Sequence, residues 1–252
     1  MNNGEYTNRT YREHLCSDRW QSFTVTYKET DLWIGVDKTS YRKEMQTYAF
    51  SRTKNLREEM DRYLQKDPEY HKALTPYPPQ EKAPLIFQRM SDVSFRSGIG
   101  PMSAVAGAVA KHIAEELKSK FLIREIVVEN GGDIYADICK DIDLSVFAGT
   151  SPLSEKVGFT IRAHRSPLGI CTSSGTVGPS LSFGKADAVM IVCKDCALAD
   201  TYATAFANQI QEAEDIDPCL EKIGMIPEIL AAICIKEDKI GILGEFDFKI
   251  WK

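Results

Sequence analysis

The segment Cys196-Ala197-Leu198-Ala199-Asp200-Thr201-Tyr202-Ala203-Thr204-Ala205-Phe206-Ala207-Asn208 carries the residues best placed to do chemistry. On a helix, Asp200, Thr204 and Asn208 fall at i, i+4 and i+8, so a carboxylate, a hydroxyl and an amide share one face. A carboxylate and a hydroxyl so spaced suit a hard cation such as magnesium, which takes oxygen ligands and keeps waters that phosphate oxygens can replace. The same spacing also suits a structural role, in which Asp200 caps a first helical turn and Thr204 bonds back to a carbonyl.

Three further segments offer polar groups to a ligand. Gly98-Ile99-Gly100-Pro101-Met102-Ser103 opens a helix of small residues, and free N–H groups at such an opening attract phosphate, with Arg96 and Ser97 close by. It is neither a phosphate-loop motif nor a dinucleotide G-x-G-x-x-G, and it serves equally as a tight turn before close helix packing. Glu129-Asn130-Gly131-Gly132-Asp133 makes a sharp hairpin turn whose carbonyls can face a cation. Cys171-Thr172-Ser173-Ser174-Gly175-Thr176-Val177-Gly178-Pro179-Ser180 is a hydroxyl-rich loop suited to phosphate or ribose. The candidate ligand-binding residues are therefore Arg96, Ser97, Gly100, Ser103, Asn130, Gly131, Gly132, Asp133, Thr172, Ser173, Ser174 and Gly175.

The seven cysteines are an odd set, which suits reduced thiols. Cys193 and Cys196 have redox or ligand spacing, but a zinc site needs a second pair, and they read as ordinary thiols at a strand end. His14, His71, His112 and His164 are scattered and carry no nucleophile signature.

The elements that must position these residues follow from periodicity. Residues 23–36 alternate on each side of a Lys28–Asp31 turn and predict a hairpin. Residues 39–66 predict an amphipathic helix ended at Pro68, and four prolines between His71 and Pro84 predict a packed loop. A helix from Pro101 to about Lys120 leads into strands at 123–128 and 134–138. The second half predicts strands at 144–147, 158–163, 168–172 and 188–192, an alanine-rich helix over 197–211, a short helical connection over 217–223, and a hairpin of 229–235 with 240–243. Both halves read as hairpin, helix, hairpin, which predicts an α+β protein of antiparallel sheets backed by helices, divided at about 1–143 and 144–252.

Composition bounds the function. The 252 residues have a formal net charge of −5, 43% hydrophobic and 10% aromatic residues, which excludes general disorder. That balance excludes bulk neutralisation of nucleic-acid phosphate, though not a small phosphate-bearing ligand. No apolar stretch predicts a signal peptide or a membrane span, Cys16 lacks lipoprotein flanks, and the expected place is the cytoplasm. The alanine-rich helices and edge strands leave a homodimer open.

Taken together and in order, the helix from Gly100 to Ala110, the Asn130–Asp133 turn, the Thr172–Gly175 loop and the Ala199–Ala205 helix resemble the ApbE-like superfamily, whose best-known members are FAD:protein FMN transferases. With the Lys28–Leu32 hairpin the chain looks closer still to a shorter ApbE-like branch of bacteria and archaea. The resemblance implies two tunnel-fold-like halves in tandem duplication, FAD as ligand, and magnesium on Asp200 and Thr204 beside a backbone carbonyl of the glycine-turn region, holding the FAD pyrophosphate. It further implies pyrophosphate cleavage with transfer to a protein partner. One motif departs: the transferases carry His-Ile-x-Asp-Pro after the Thr-Ser-Gly loop, where this chain has Ser180-Leu181-Ser182-Phe183-Gly184-Lys185-Ala186-Asp187. That departure favours a second reading, a non-catalytic accessory protein of sulfur or cofactor metabolism that keeps the fold.

Overall fold

The computed structural model describes residues 19–176 and 182–251. The N-terminal expectations, those for His14 and Cys16 included, and the 177–181 part of the hydroxyl-rich loop lie outside the described residues.

Strands β1 (Trp20–Tyr27) and β2 (Thr30–Asp37) form a hairpin in which Tyr27 pairs with Thr30. Alternation buries Phe23 and Val25 on one side of β1, whereas β2 is covered on both faces. Helix α1 (Glu44–Lys66) buries Met45, Ala49, Thr53, Leu56, Met60 and Tyr63, one apolar stripe at steps of three and four. Pro68 then starts a short helix α2 (Pro68–Lys72), capped by the Asp67 side chain accepting from the Tyr70 N–H. The proline-rich stretch is a loop as expected, but it ends in a helix that the sequence reading missed, α3 (Leu85–Ser97), which buries Ile86, Phe87, Met90 and Val93.

A short 3-10 turn, Pro101–Ala104, precedes α4 (Val105–Lys120). Strands β3 (Ile126–Asn130) and β4 (Asp133–Asp137) are joined by Gly131 and Gly132, both at positive φ (69° and 106°), the conformation a two-residue hairpin turn demands. Then come β5 (Ile142–Ser145), β6 (Val157–Ile161), β7 (Leu168–Ser173), β8 (Ala188–Cys193), α5 (Cys196–Ala207), α6 (Ile216–Gly224), β9 (Ile229–Lys236), β10 (Lys239–Gly244) and β11 (Asp247–Ile250).

Eight strands form one sheet in the order β1-β2-β3-β4-β7-β8-β9-β10, and β11-β6-β5 form a second; every pairing is antiparallel. Helical connections separate hairpin β1–β2 from β3–β4, and β7–β8 from β9–β10. One core lies between the helices and the large sheet, where Ile34, Val128 and Ile191 meet Met45, Ala108 and Ala197. The other lies between the sheets, where Trp33, Val127, Ile134 and Met190 meet Leu144, Phe159 and Ile161. The molecule is thus three layers of helices, large sheet and small sheet, an α+β arrangement. Among the described residues no helix is long and apolar enough to cross a membrane.

Candidate functional site

The site is built where α5 crosses the first turn of α4. Asp195 caps α5, its side chain accepting from the Leu198 N–H at 3.2 Å. Every residue of α5 except Thr204 is buried, so the helix runs through the core and opens to the outside at Thr204, one turn after Asp200. Close approach depends on Gly107: a Cβ there would lie 2.5 Å from the Cys196 carbonyl oxygen and 2.9 Å from the Asp200 Cβ.

Asp200 is 6% exposed. Its Oδ2 accepts the Gly107 N–H at 2.8 Å, and the Ala106 N–H also binds the carboxylate. Asp200 therefore caps a helix, but it caps α4 rather than its own. Burial pushes its carboxyl up to about 7, against the pull of the two N–H groups. Asp133 is likewise buried and raised well above the usual carboxylate range, first by burial and then by the neighbouring Asp200 charge. Asn130 completes the convergence, its Nδ2 donating to the Ala106 carbonyl at 3.1 Å. Glu129 Oε1 accepts the Gly132 N–H at 2.7 Å and holds the glycine turn.

The hydroxyl-rich loop joins from β7. Asp133 pairs with Cys171 across the sheet, which sets Thr172 and Ser173 beside the glycine turn. Thr204 Oγ1 donates to Ser173 Oγ at 3.4 Å. Asn130, Gly131, Gly132, Asp133, Thr172, Ser173, Asp200 and Thr204 are thereby brought to one place. Ser174 and Gly175 lead away from it; the Gly175 N–H and the Ser174 hydroxyl both bind the Ala186 carbonyl.

The entry to α4 differs from an open anion site. Its Ala106 and Gly107 N–H groups go to Asp200, and the Arg96 guanidinium pairs with Glu228. Ser97 Oγ and Ser103 Oγ each lie 2.7 Å from Thr201 Oγ1, and Ser103 also donates to the Gly100 carbonyl at 2.7 Å. These hydroxyls lock α3, the 3-10 turn and α5 together. Thr201 was not singled out in the sequence, although its place beside Asp200 on a small-residue helix was the available signal. Cys196 Sγ lies 3.7 Å from Cys171 Sγ, and the Cys171, Cys193 and Cys196 thiols are all buried.

The donor set fits magnesium. Asp200 and Thr204 present a carboxylate and a hydroxyl on one turn, and the carboxylate keeps lone pairs beyond those bound by the two N–H groups. Among the described residues no three His, Cys, Asp or Glu side chains form a metal-binding group. Magnesium binds through one or two protein oxygens and completes its shell with water and phosphate, a demand that a carboxylate and a hydroxyl can meet.

A family model described as AbpE bacteria matches residues 12–219. A UPF0280 protein of Methanocaldococcus jannaschii is 36% identical over 231 residues, covering 90% of this chain and 91% of its own. One from Methanosphaerula palustris is 41% identical over 191 residues, covering 76% and 75%. Among solved structures, the apo form of the Pseudomonas stutzeri flavinyl transferase ApbE superimposes with a TM-score of 0.56 at 15% identity, covering 92% of this chain and 94% of that one. This last likeness is one of fold.

Proposed function

The chain belongs to the AbpE bacteria family, and from that premise we propose that it binds FAD or a related phosphate-bearing ligand through magnesium held by Asp200 and Thr204. The reaction class is flavin transfer, in which the FAD pyrophosphate is cleaved, FMN passes to an acceptor and AMP leaves. The observation that carries this reading is the meeting of Asn130, Asp133 and Asp200 at the first turn of α4, with Thr204 and Ser173 at its open side.

Magnesium, when bound, supplies positive charge against the pyrophosphate in a site that otherwise gathers buried carboxyl groups. The chain's own residues do the rest. Asp200 fixes the start of α4, Asn130 holds the glycine turn against it, and the hydroxyls of Thr172, Ser173 and Thr204 orient phosphate oxygens. The hairpin, helices, hairpin order repeated along the large sheet supports a tandem duplication of two tunnel-fold-like halves, approximately 1–143 and 144–252, with the site at their junction.

Incubation with FAD, magnesium and a candidate acceptor protein tests the reaction: AMP release that depends on magnesium and on Asp200 is expected. Binding without any AMP release would favour the accessory reading instead, which the segment Ser182-Phe183-Gly184-Lys185 in place of a histidine motif supports.

A further inference from the structure

Phe183 is 59% exposed, yet both polar groups of its backbone are fixed. Its N–H donates to Asn208 Oδ1 at 2.9 Å and its carbonyl accepts Gln211 Nε2 at 2.8 Å. The Ser182 hydroxyl donates to the same Asn208 oxygen at 3.2 Å. Downstream, the Lys185 N–H binds the Ile210 carbonyl at 2.7 Å, and the Ala186 carbonyl accepts the Gly175 N–H at 2.8 Å. The segment is thus tied both to the end of α5 and to the loop whose Ser173 meets Thr204.

Scattered exposed apolar side chains are ordinary on a protein surface. Phe183 stands in a loop that these bonds hold in place beside the end of α5, so a ring packing on it loses little to ordering of the chain. Asn208, its anchor, follows α5 on the face that carries Asp200 and Thr204. Along the helix axis Asp200 and Asn208 are about 12 Å apart, a separation suited to a nucleotide with its phosphates at one end and its ring at the other.

We propose that Phe183 is the ring contact of the site, an aromatic surface for the planar heteroaromatic ring of a ligand whose phosphates lie at Asp200 and Thr204, with Asn208 as its positioning residue. This rests on the ligand class proposed above. Such a contact gains from dispersion and ring offset rather than from hydrogen bonds, so it accepts either ring of a flavin dinucleotide.

Calorimetric titrations of FMN, ADP and inorganic pyrophosphate, each with magnesium, into the full chain and its F183A, F183W and N208A variants test it. F183A is expected to weaken FMN or ADP binding roughly 5- to 100-fold, the strength of one stacked ring, with pyrophosphate unchanged and F183W restoring affinity. N208A is expected to weaken the same ring ligand and to spare pyrophosphate. The arm that responds, FMN or ADP, tells which ring occupies the contact. Unchanged FMN and ADP affinities in F183A, or an equal loss for pyrophosphate, would overturn the ring contact while leaving the magnesium site standing. Failure of the wild-type chain to bind any of the three would overturn the proposed function itself, and the ring contact with it.

Discussion

The Asp200 carboxylate accepts the Gly107 N–H at 2.8 Å, so the helix that bears the candidate metal ligand also caps the start of its neighbour. Two jobs meet on one side chain. Substitution of Asp200 therefore mixes loss of a ligand with loss of a cap, and the two have to be separated by measurement.

Asp200→Ala is expected to lower stability by about 1–2 kcal/mol, the value of a helix cap, and to abolish magnesium-dependent FAD binding. Thr204→Val removes the hydroxyl at the one unburied position of α5 and is expected to weaken that binding with little change in Tm. Thermal melts beside calorimetry check the pair. Equal damage to Tm in both variants would show that the crossing is structural alone.

Gly107→Ala inserts a methyl 2.5 Å from the Cys196 carbonyl oxygen, and backbone cannot yield there cheaply. Overpacking of this kind costs about 1–3 kcal/mol. A drop in Tm together with weaker magnesium-dependent binding is expected, because α4 and α5 must part where Asp200 sits.

The raised carboxyl of Asp200, at about 7 in the fold, gives a pH dependence of definite sign. A carboxyl with a native value above its unfolded one favours the fold when protonated, so stability is full in acid and falls as pH rises through about 7. Without magnesium, Tm is expected to decline between pH 5 and pH 8. Magnesium favours the ionised carboxylate, so its stabilising effect is expected to be larger at pH 8 than at pH 5. A magnesium effect independent of pH would contradict ligation by Asp200.

Asp37, at the end of β2, behaves oppositely. Burial raises its carboxyl, but hydrogen bonding from the Ser40 side chain, the Thr39 hydroxyl at 2.6 Å, the Glu125 N–H at 3.2 Å and the Ser40 N–H at 3.0 Å outweighs that and lowers it to about 2. Its stabilisation is present above pH 4 and lost as pH falls toward 2. Asp37→Asn is expected to cost on the order of 2 kcal/mol at neutral pH and to flatten acid unfolding in that window, which urea titrations at pH 2 to 6 would read.

Much of this was legible in the sequence because local pattern and tertiary role agreed. Phe23 and Val25 alternate, Gly131-Gly132 can only turn, and Asp200 and Thr204 keep their spacing wherever the helix lies. Helix α3 was hidden by its polar residues, among them Gln88, Arg89 and Asp92, which dilute the stripe of Ile86, Phe87, Met90 and Val93. Strand β11 was hidden because Asp247–Ile250 is mostly exposed and becomes a strand only by pairing with β6. The contacts that make the site, Asn130 with Ala106 and Asp200 with Gly107, join residues far apart in the chain. Spacing could name the partners but not the meeting. The Cys196 thiol shows the converse: its CxxC neighbour is close in sequence, while its sulfur contact is Cys171.

Calorimetric titration of FAD into the wild-type chain and the Thr204→Val variant, with magnesium and with EDTA, is the most direct test of magnesium-held pyrophosphate at α5. Saturable heat for the wild type in magnesium, lost both in EDTA and in the variant while its melt is unchanged, is the expected result. FAD binding of equal strength with and without magnesium, or no binding at all, would contradict it.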